Sequence, residues 1–186
     1  MRKTLFVILT LLVLGVIASL HAPQAQALIY VGNFGGNNIS TFPNNANGNV
    51  LPTTNIQGAA TTLNGPWGVA VDANFIYVAN RFNFSIDVFP INATGNVAPT
   101  RSIQGGLTTL NGPQGVAVDA NFIYVANRAN LSIDVFPINA TGNVAPTRSI
   151  QGSLTTLNGP SSVALDVSVA AFPSRSLVPI LHLLLD

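Results

Sequence analysis

Three stretches of this sequence, opening at Ile29, Ile76 and Ile123, follow one another at a constant spacing of 47 residues. Between Ile76–Asp119 and Ile123–Asp166 only six positions differ: Phe82/Ala129, Phe84/Leu131, Gly106/Ser153, Gln114/Ser161, Gly115/Ser162 and Val118/Leu165. The copy opening at Ile29 is more diverged but keeps the same landmarks. A unit of this size cannot bury an apolar face alone, so the copies must stack and share their cores.

Each copy alternates short β-branched runs with turn chemistry. In the middle of the chain the runs are GVAVD (Gly68–Asp72), FIYVAN (Phe75–Asn80), SIDVF (Ser85–Phe89) and PTRSIQ (Pro99–Gln104). The links between them are rich in Asn, Gly and Pro, which favour turns by their backbone preferences. No run keeps a helical period. Four strands in about 45 residues, repeated, form the pattern of a propeller blade. The run Ile76-Tyr77-Val78-Ala79 is apolar at every position, as in a strand buried on both faces rather than one. A two-sheet sandwich also uses short, evenly spaced strands, but near-identical four-strand units favour stacked blades.

The sequence P-x-G-V-A-V-D followed by I-Y-V-A-N, at Pro66–Asn80 and Pro113–Asn127, resembles NHL-repeat and YVTN-type β-propellers. The likeness extends over Leu28–Asp166. It implies an all-β fold, a partial β-propeller of about three four-stranded antiparallel blades; a signal-peptide helix, read from the N-terminal residues themselves, is expected to precede it. It also implies that GVAVD is the innermost strand, with FIYVAN, SIDVF and PTRSIQ leading outward. The first copy then begins at the second strand, because Leu28–Asn33 aligns with FIYVAN, and Ser162–Asp166 is a last innermost strand. These families include binding modules, lactonase-like and lyase-like enzymes.

The N-terminus has the pattern of an export signal. Arg2 and Lys3 precede an uncharged run from Thr4 to Leu20, and Ala25-Gln26-Ala27 forms an A-x-A site. Cleavage after Ala27 is expected, giving a secreted or periplasmic protein; an uncleaved membrane anchor is the alternative. The expected organisation is a signal peptide at 1–27, blade repeats at 28–166 (28–75, 76–122 and 123–166), and an apolar tail at 167–186. The repeat stops within one residue of Asp166. A shifted reading frame in a longer gene, or an unrelated ending, would produce such a break.

Composition narrows the chemistry. Without its signal the chain carries five arginines against six aspartates, and there is no glutamate or cysteine. Disulfides and thiolate metal sites are excluded. A nearly neutral surface has no electrostatic footprint for nucleic acid. His182 lies in the tail, and general acid–base residues within the repeats reduce to Asp. The expectation is therefore a non-catalytic binding or scaffold module with no cofactor. The alternatives are an inactive fragment of a longer propeller, and a lactonase-like or lyase-like enzyme.

Asp72, Asp119 and Asp166 recur at the end of the expected innermost strand. They could ring the channel mouth and hold Ca²⁺ with nearby Asn oxygens, or each could close a D-A-N-F turn. Recurrence once per blade is what a turn needs, and that reading is preferred. Asp87 and Arg101 recur as Asp134 and Arg148, whereas the first copy has Ser40 and Thr54. Their joint replacement points to a cross-strand ion pair, with Phe89 opposite Pro99 and Ser85 opposite Ile103. Arg81 and Arg128, with Phe34 at the equivalent point, read as solvated loop residues or as ligand contacts at one face. The expected partners are a protein or a glycan, a membrane only through an uncleaved signal, and a second copy through open blade faces.

Overall fold

A computed structural model of the chain describes residues 27–166. The expected signal peptide, apart from Ala27, and the expected tail at 167–186 lie outside the described residues. Among the described residues eleven strands form three antiparallel sheets. The first holds β1 (Leu28–Asn33), β2 (Asn38–Pro43) and β3 (Thr54–Gln57). The second holds β4 (Pro66–Val71), β5 (Phe75–Asn80), β6 (Ser85–Pro90) and β7 (Arg101–Gln104). The third holds β8 (Pro113–Val118), β9 (Phe122–Asn127), β10 (Ser132–Pro137) and β11 (Arg148–Ile150). In every sheet neighbouring strands are also sequential. Three-residue 3₁₀ turns at Ala59–Thr61, Gly106–Thr108 and Ser153–Thr155 follow the outermost strands, and no α-helix occurs among the described residues. The described residues form a partial β-propeller, in which β1 of the three-stranded sheet corresponds to β5 and β9 of the four-stranded ones.

The period-two geometry of a strand explains the wholly apolar FIYVAN run. Ile76 and Val78 point into a core shared with Ile39 and Ile56 of the first sheet. Tyr77 and Ala79 point the other way, into a core shared with Ile123, Val125 and Phe136 of the third. All four are fully buried. At about 1.5–3 kcal/mol for each large apolar side chain removed from water, these two inter-blade cores are the main cohesion of a fold without disulfides. Innermost strands approach closely: a Cβ on Gly68 would lie 2.2 Å from the Gln114 carbonyl oxygen, so only glycine fits there.

Two expectations are corrected. The ion-pair register is off by one residue: Asp87 lies opposite Ser102, Val88 opposite Arg101 and Ile86 opposite Ile103. This register puts Ile86 and Ile103 together in the core shared with the third sheet; the expected one would have set Ser85 against Ile103. A slip of one residue sends a side chain to the opposite face, so Asp87 and Arg101 are not partners. The segment Ser162–Asp166 is not a strand. In the complete sheets β4 and β8 bond to the FIYVAN strands β5 and β9, whereas the sequence after Asp166 reads Val167-Ser168-Val169-Ala170 and supplies no equivalent.

Candidate functional site: an aromatic platform around Arg81

The turns of the blades gather at two ends. One carries the β1–β2, β5–β6 and β9–β10 turns with the 3₁₀ segments, and there the copies differ at Trp67/Gln114 and Phe82/Ala129. β4 is irregular between Pro66 and Val69, a bulge that frees Trp67 from the regular pleat. Trp67 meets Phe34, from the turn after β1, with ring centroids 5.2 Å apart and planes at 76°. Phe34 also meets Phe82 at 5.3 Å. The Arg81 guanidinium lies 5.5 Å from the Trp67 ring centre, 5.7 Å from that of Phe82 and 5.9 Å from that of Phe34. Each such contact contributes about 0.5–1 kcal/mol at an exposed site.

Despite this mutual packing, Phe34, Trp67 and Phe82 remain 38%, 43% and 54% exposed. Gly32, Phe34, Pro66, Trp67 and Arg81 line a shallow pocket of about 410 Å³, within the usual size of ligand sites. The floor is built from backbone and amide bonds. Gly65, at φ 63°, donates its N–H to Asn37 Oδ1 at 2.8 Å. Its carbonyl accepts the Arg81 N–H, and the Asn64 carbonyl accepts that of Phe82. A Cβ on Gly65 would lie 2.8 Å from the Phe82 ring. Arg81 is thus a stacked, oriented group rather than a solvated loop residue. One blade further on, Gln114, Arg128 and Ala129 replace Trp67, Arg81 and Phe82; Gln114 is buried and Arg128 is exposed. The platform occurs at one inter-blade joint of the two.

The remaining candidates lie elsewhere. Asp72 Oδ1 accepts the N–H groups of Asn74 and Phe75 at 2.7 and 2.8 Å, and Oδ2 accepts the Tyr77 hydroxyl at 2.7 Å. Asp119 repeats this with Asn121, Phe122 and Tyr124. Burial would raise the Asp72 carboxyl, but the bonds from Tyr77, Asn74 and Phe75 and the charge of Arg101 hold it below its ordinary value. Burial and the neighbouring carboxylate push Tyr77 up to about 12. Each of these two carboxylates closes its own turn. Asp166 is exposed and follows no strand. No three His, Cys, Asp or Glu side chains gather in metal-holding range among the described residues.

Asp87 is 1% exposed. Its Oδ1 accepts the Ser102 hydroxyl at 2.6 Å, and its Oδ2 accepts Asn80 Nδ2 at 2.7 Å and the Thr62 hydroxyl at 2.8 Å. Desolvation raises its carboxyl above the ordinary value, against the pull of these bonds. The Asp134 carboxylate accepts the corresponding hydrogen bonds, from Asn127, Thr109 and Ser149. Arg101 instead lies 4.9 Å from the Phe75 ring centre and donates to the Ile138 carbonyl of the next blade at 2.7 Å. A larger groove, about 560 Å³, lies beside Leu131 and Leu157. It repeats the groove beside Phe84 and Leu110 one blade earlier and belongs to the blade architecture.

A family model described as lactonase, 7-bladed β-propeller, matches residues 67–153. No curated protein matches the chain. Among solved structures, hydrazine synthase from Kuenenia stuttgartiensis aligns with a TM-score of 0.53 at 19% identity, over 76% of this chain and 40% of that one. A functionally unknown protein from Desulfotomaculum acetoxidans aligns with a TM-score of 0.49 at 22% identity, over 69% of this chain and 39% of that one. The chain therefore spans about two fifths of the length of these structures. The hydrazine synthase likeness concerns the fold alone. Sheet architecture and the family-model match together describe a partial β-propeller similar to the lactonase-type propellers over residues 67–153.

Proposed function

We propose that the chain is an exported, non-catalytic binding module that takes a glycan on the platform of Phe34, Trp67, Arg81 and Phe82. The observation that carries this reading is the exposed tryptophan stacked against an arginine at one joint of a nearly repeated sequence. Trp and Arg are the side chains that most often dominate binding surfaces. A sugar ring presents C–H groups on its faces and hydroxyls at its rim. The faces suit the Trp67 and Phe34 rings, and the rim suits the Arg81 guanidinium. The small net charge left after signal removal fits a neutral ligand better than a polyanion. The motif P-x-G-V-A-V-D with I-Y-V-A-N supports placing the repeats with the NHL and YVTN types among propellers.

The test is a glycan array probed with the purified chain, its Trp67→Ala and Arg81→Ala variants, and Arg128→Ala as a control. Loss of a hot-spot side chain is expected to weaken binding at least tenfold (about 1.4 kcal/mol or more), with Arg128→Ala unchanged. Glycan binding that survives Trp67→Ala would refute the site. The match to the lactonase model favours a second reading, lactone hydrolysis. Turnover of a lactone panel by the wild-type chain, abolished in Asp72→Asn or Tyr77→Phe, would establish that reading instead.

A further inference from the structure

We infer that the chain associates head to tail with a second copy of itself, residues 160–165 of one molecule adding as the innermost strand to β1 of the next. The two joints inside the chain are the template. Ile76 and Val78 of β5 are fully buried against the first sheet, and Ile123 and Val125 of β9 against the second. β1 carries the same letters at the same places, yet its Ile29 and Val31 are 45% and 36% exposed. At the other end Ile150, the counterpart of buried Ile103, is 53% exposed. The third sheet thus presents the forward face of a joint whose backward face lies on the first sheet.

The edges match as well. Among the described residues β1 pairs with β2 alone, and residues 160–165 pair with no strand. Their sequence, PSSVAL, is the counterpart of PWGVAV in β4 and PQGVAV in β8. They already lie against β8 as β8 lies against β4. A Cβ on Gly115 would be 2.8 Å from the Val163 nitrogen, and one on Gly68 3.0 Å from that of Val116. The β4–β5 and β8–β9 registers carry over to Val163 opposite Val31, Ala164 opposite Tyr30 and Leu165 opposite Ile29 of the second copy.

The outer rim repeats the logic. Ile56 bridges Gly95, and Ile103 bridges Gly142, each across a joint. The next such pair is Ile150 with Gly48 of the second copy. Gly48 already holds φ 75°, against 73° for Gly95 and Gly142. The three described sheets of each of two copies bring six to a ring, within the range of about four to eight blades that close. A third copy would exceed it. Ser162 carries a Cβ where Gly68 and Gly115 have none, so this joint is looser than the two within the chain.

The chain has no cysteine, which permits a clean test. Val31→Cys and Val163→Cys are made as separate proteins and treated with a short bis-maleimide, each alone and then mixed in equal amounts. Cross-linked dimer is expected from the mixture and not from either variant alone. Sedimentation of the wild-type full chain should give twice the monomer mass, and Ser162→Gly should lower the dissociation constant several-fold. A wild-type chain that stays monomeric over the concentration series would overturn the inference. So would a mixture that yields no dimer, or Val31→Cys linking to itself as readily as to its partner.

Discussion

Replacing Asp87 separates the observed register from the ion pair that the sequence invites. The carboxylate is 1% exposed and accepts three hydrogen bonds, from Ser102, Asn80 and Thr62. Asp87→Ala removes an acceptor from each donor, and Asn80 is itself fully buried. With about 1–3 kcal/mol for a stranded buried polar group and about 0.5–1.5 for each remaining bond, the expected loss is about 3 kcal/mol. In a domain of this size that lowers Tm by about 10 °C. The decisive assay is a pair of double-mutant cycles followed by urea unfolding. Asp87→Ala with Ser102→Ala should couple by about 1 kcal/mol or more, and Asp87→Ala with Arg101→Ala by less than about 0.5. Equal coupling in both cycles, or coupling to Arg101 alone, would refute the register. The pH dependence adds a check. Desolvation raises the Asp87 carboxyl in the folded state, so its contribution is fully present below the unfolded value and is lost as pH rises through the folded one. Asp87→Asn should flatten that slope.

Tyr77 gives an alkaline counterpart. Its value rises from 10.0 to about 12 in the fold, so its contribution is intact below pH 10 and drains away towards pH 12. Unfolding measured across that range should lose this slope in Tyr77→Phe, and an unchanged slope would contradict the assignment. Phe84 holds φ 51° where the first blade has Asn37 at φ 48°. Asn tolerates the left-handed region and a bulky aromatic does not, so Phe84→Asn should raise stability by about 0.5–1 kcal/mol in urea titration; a loss would show that the Phe84 ring contributes packing worth more than the strain.

The blade plan was legible because side chains alternate between the two faces of a strand with period two. The run Ile76-Tyr77-Val78-Ala79 could be apolar on both faces only if sheets stacked against each of them. The pairing register was not legible. The joint change of Asp87 and Arg101 to Ser40 and Thr54 mimicked a contact, although the two side chains lie on opposite faces of the sheet. Trp67 was also missed, because a reading led by recurrence weighs what repeats. The available signal was the opposite one. The only tryptophan of the chain stands where later copies have Gln114 and Ser161, and Phe82 stands where the third has Ala129. The strain at Phe84 and Leu131 had no signature in residue type, since neither residue ordinarily occupies a left-handed turn.

Because Trp67 is the sole tryptophan, its emission reports on the platform without a label. Titrating the wild-type chain with an oligosaccharide that it retains on an array is the most direct test of the proposed site. A saturable change in Trp67 emission is expected, with a midpoint that Arg81→Ala shifts at least tenfold and Arg128→Ala leaves in place. Calorimetry that records binding of the same sugar while Trp67 emission stays constant would contradict the account, because the ligand would then be held away from the platform.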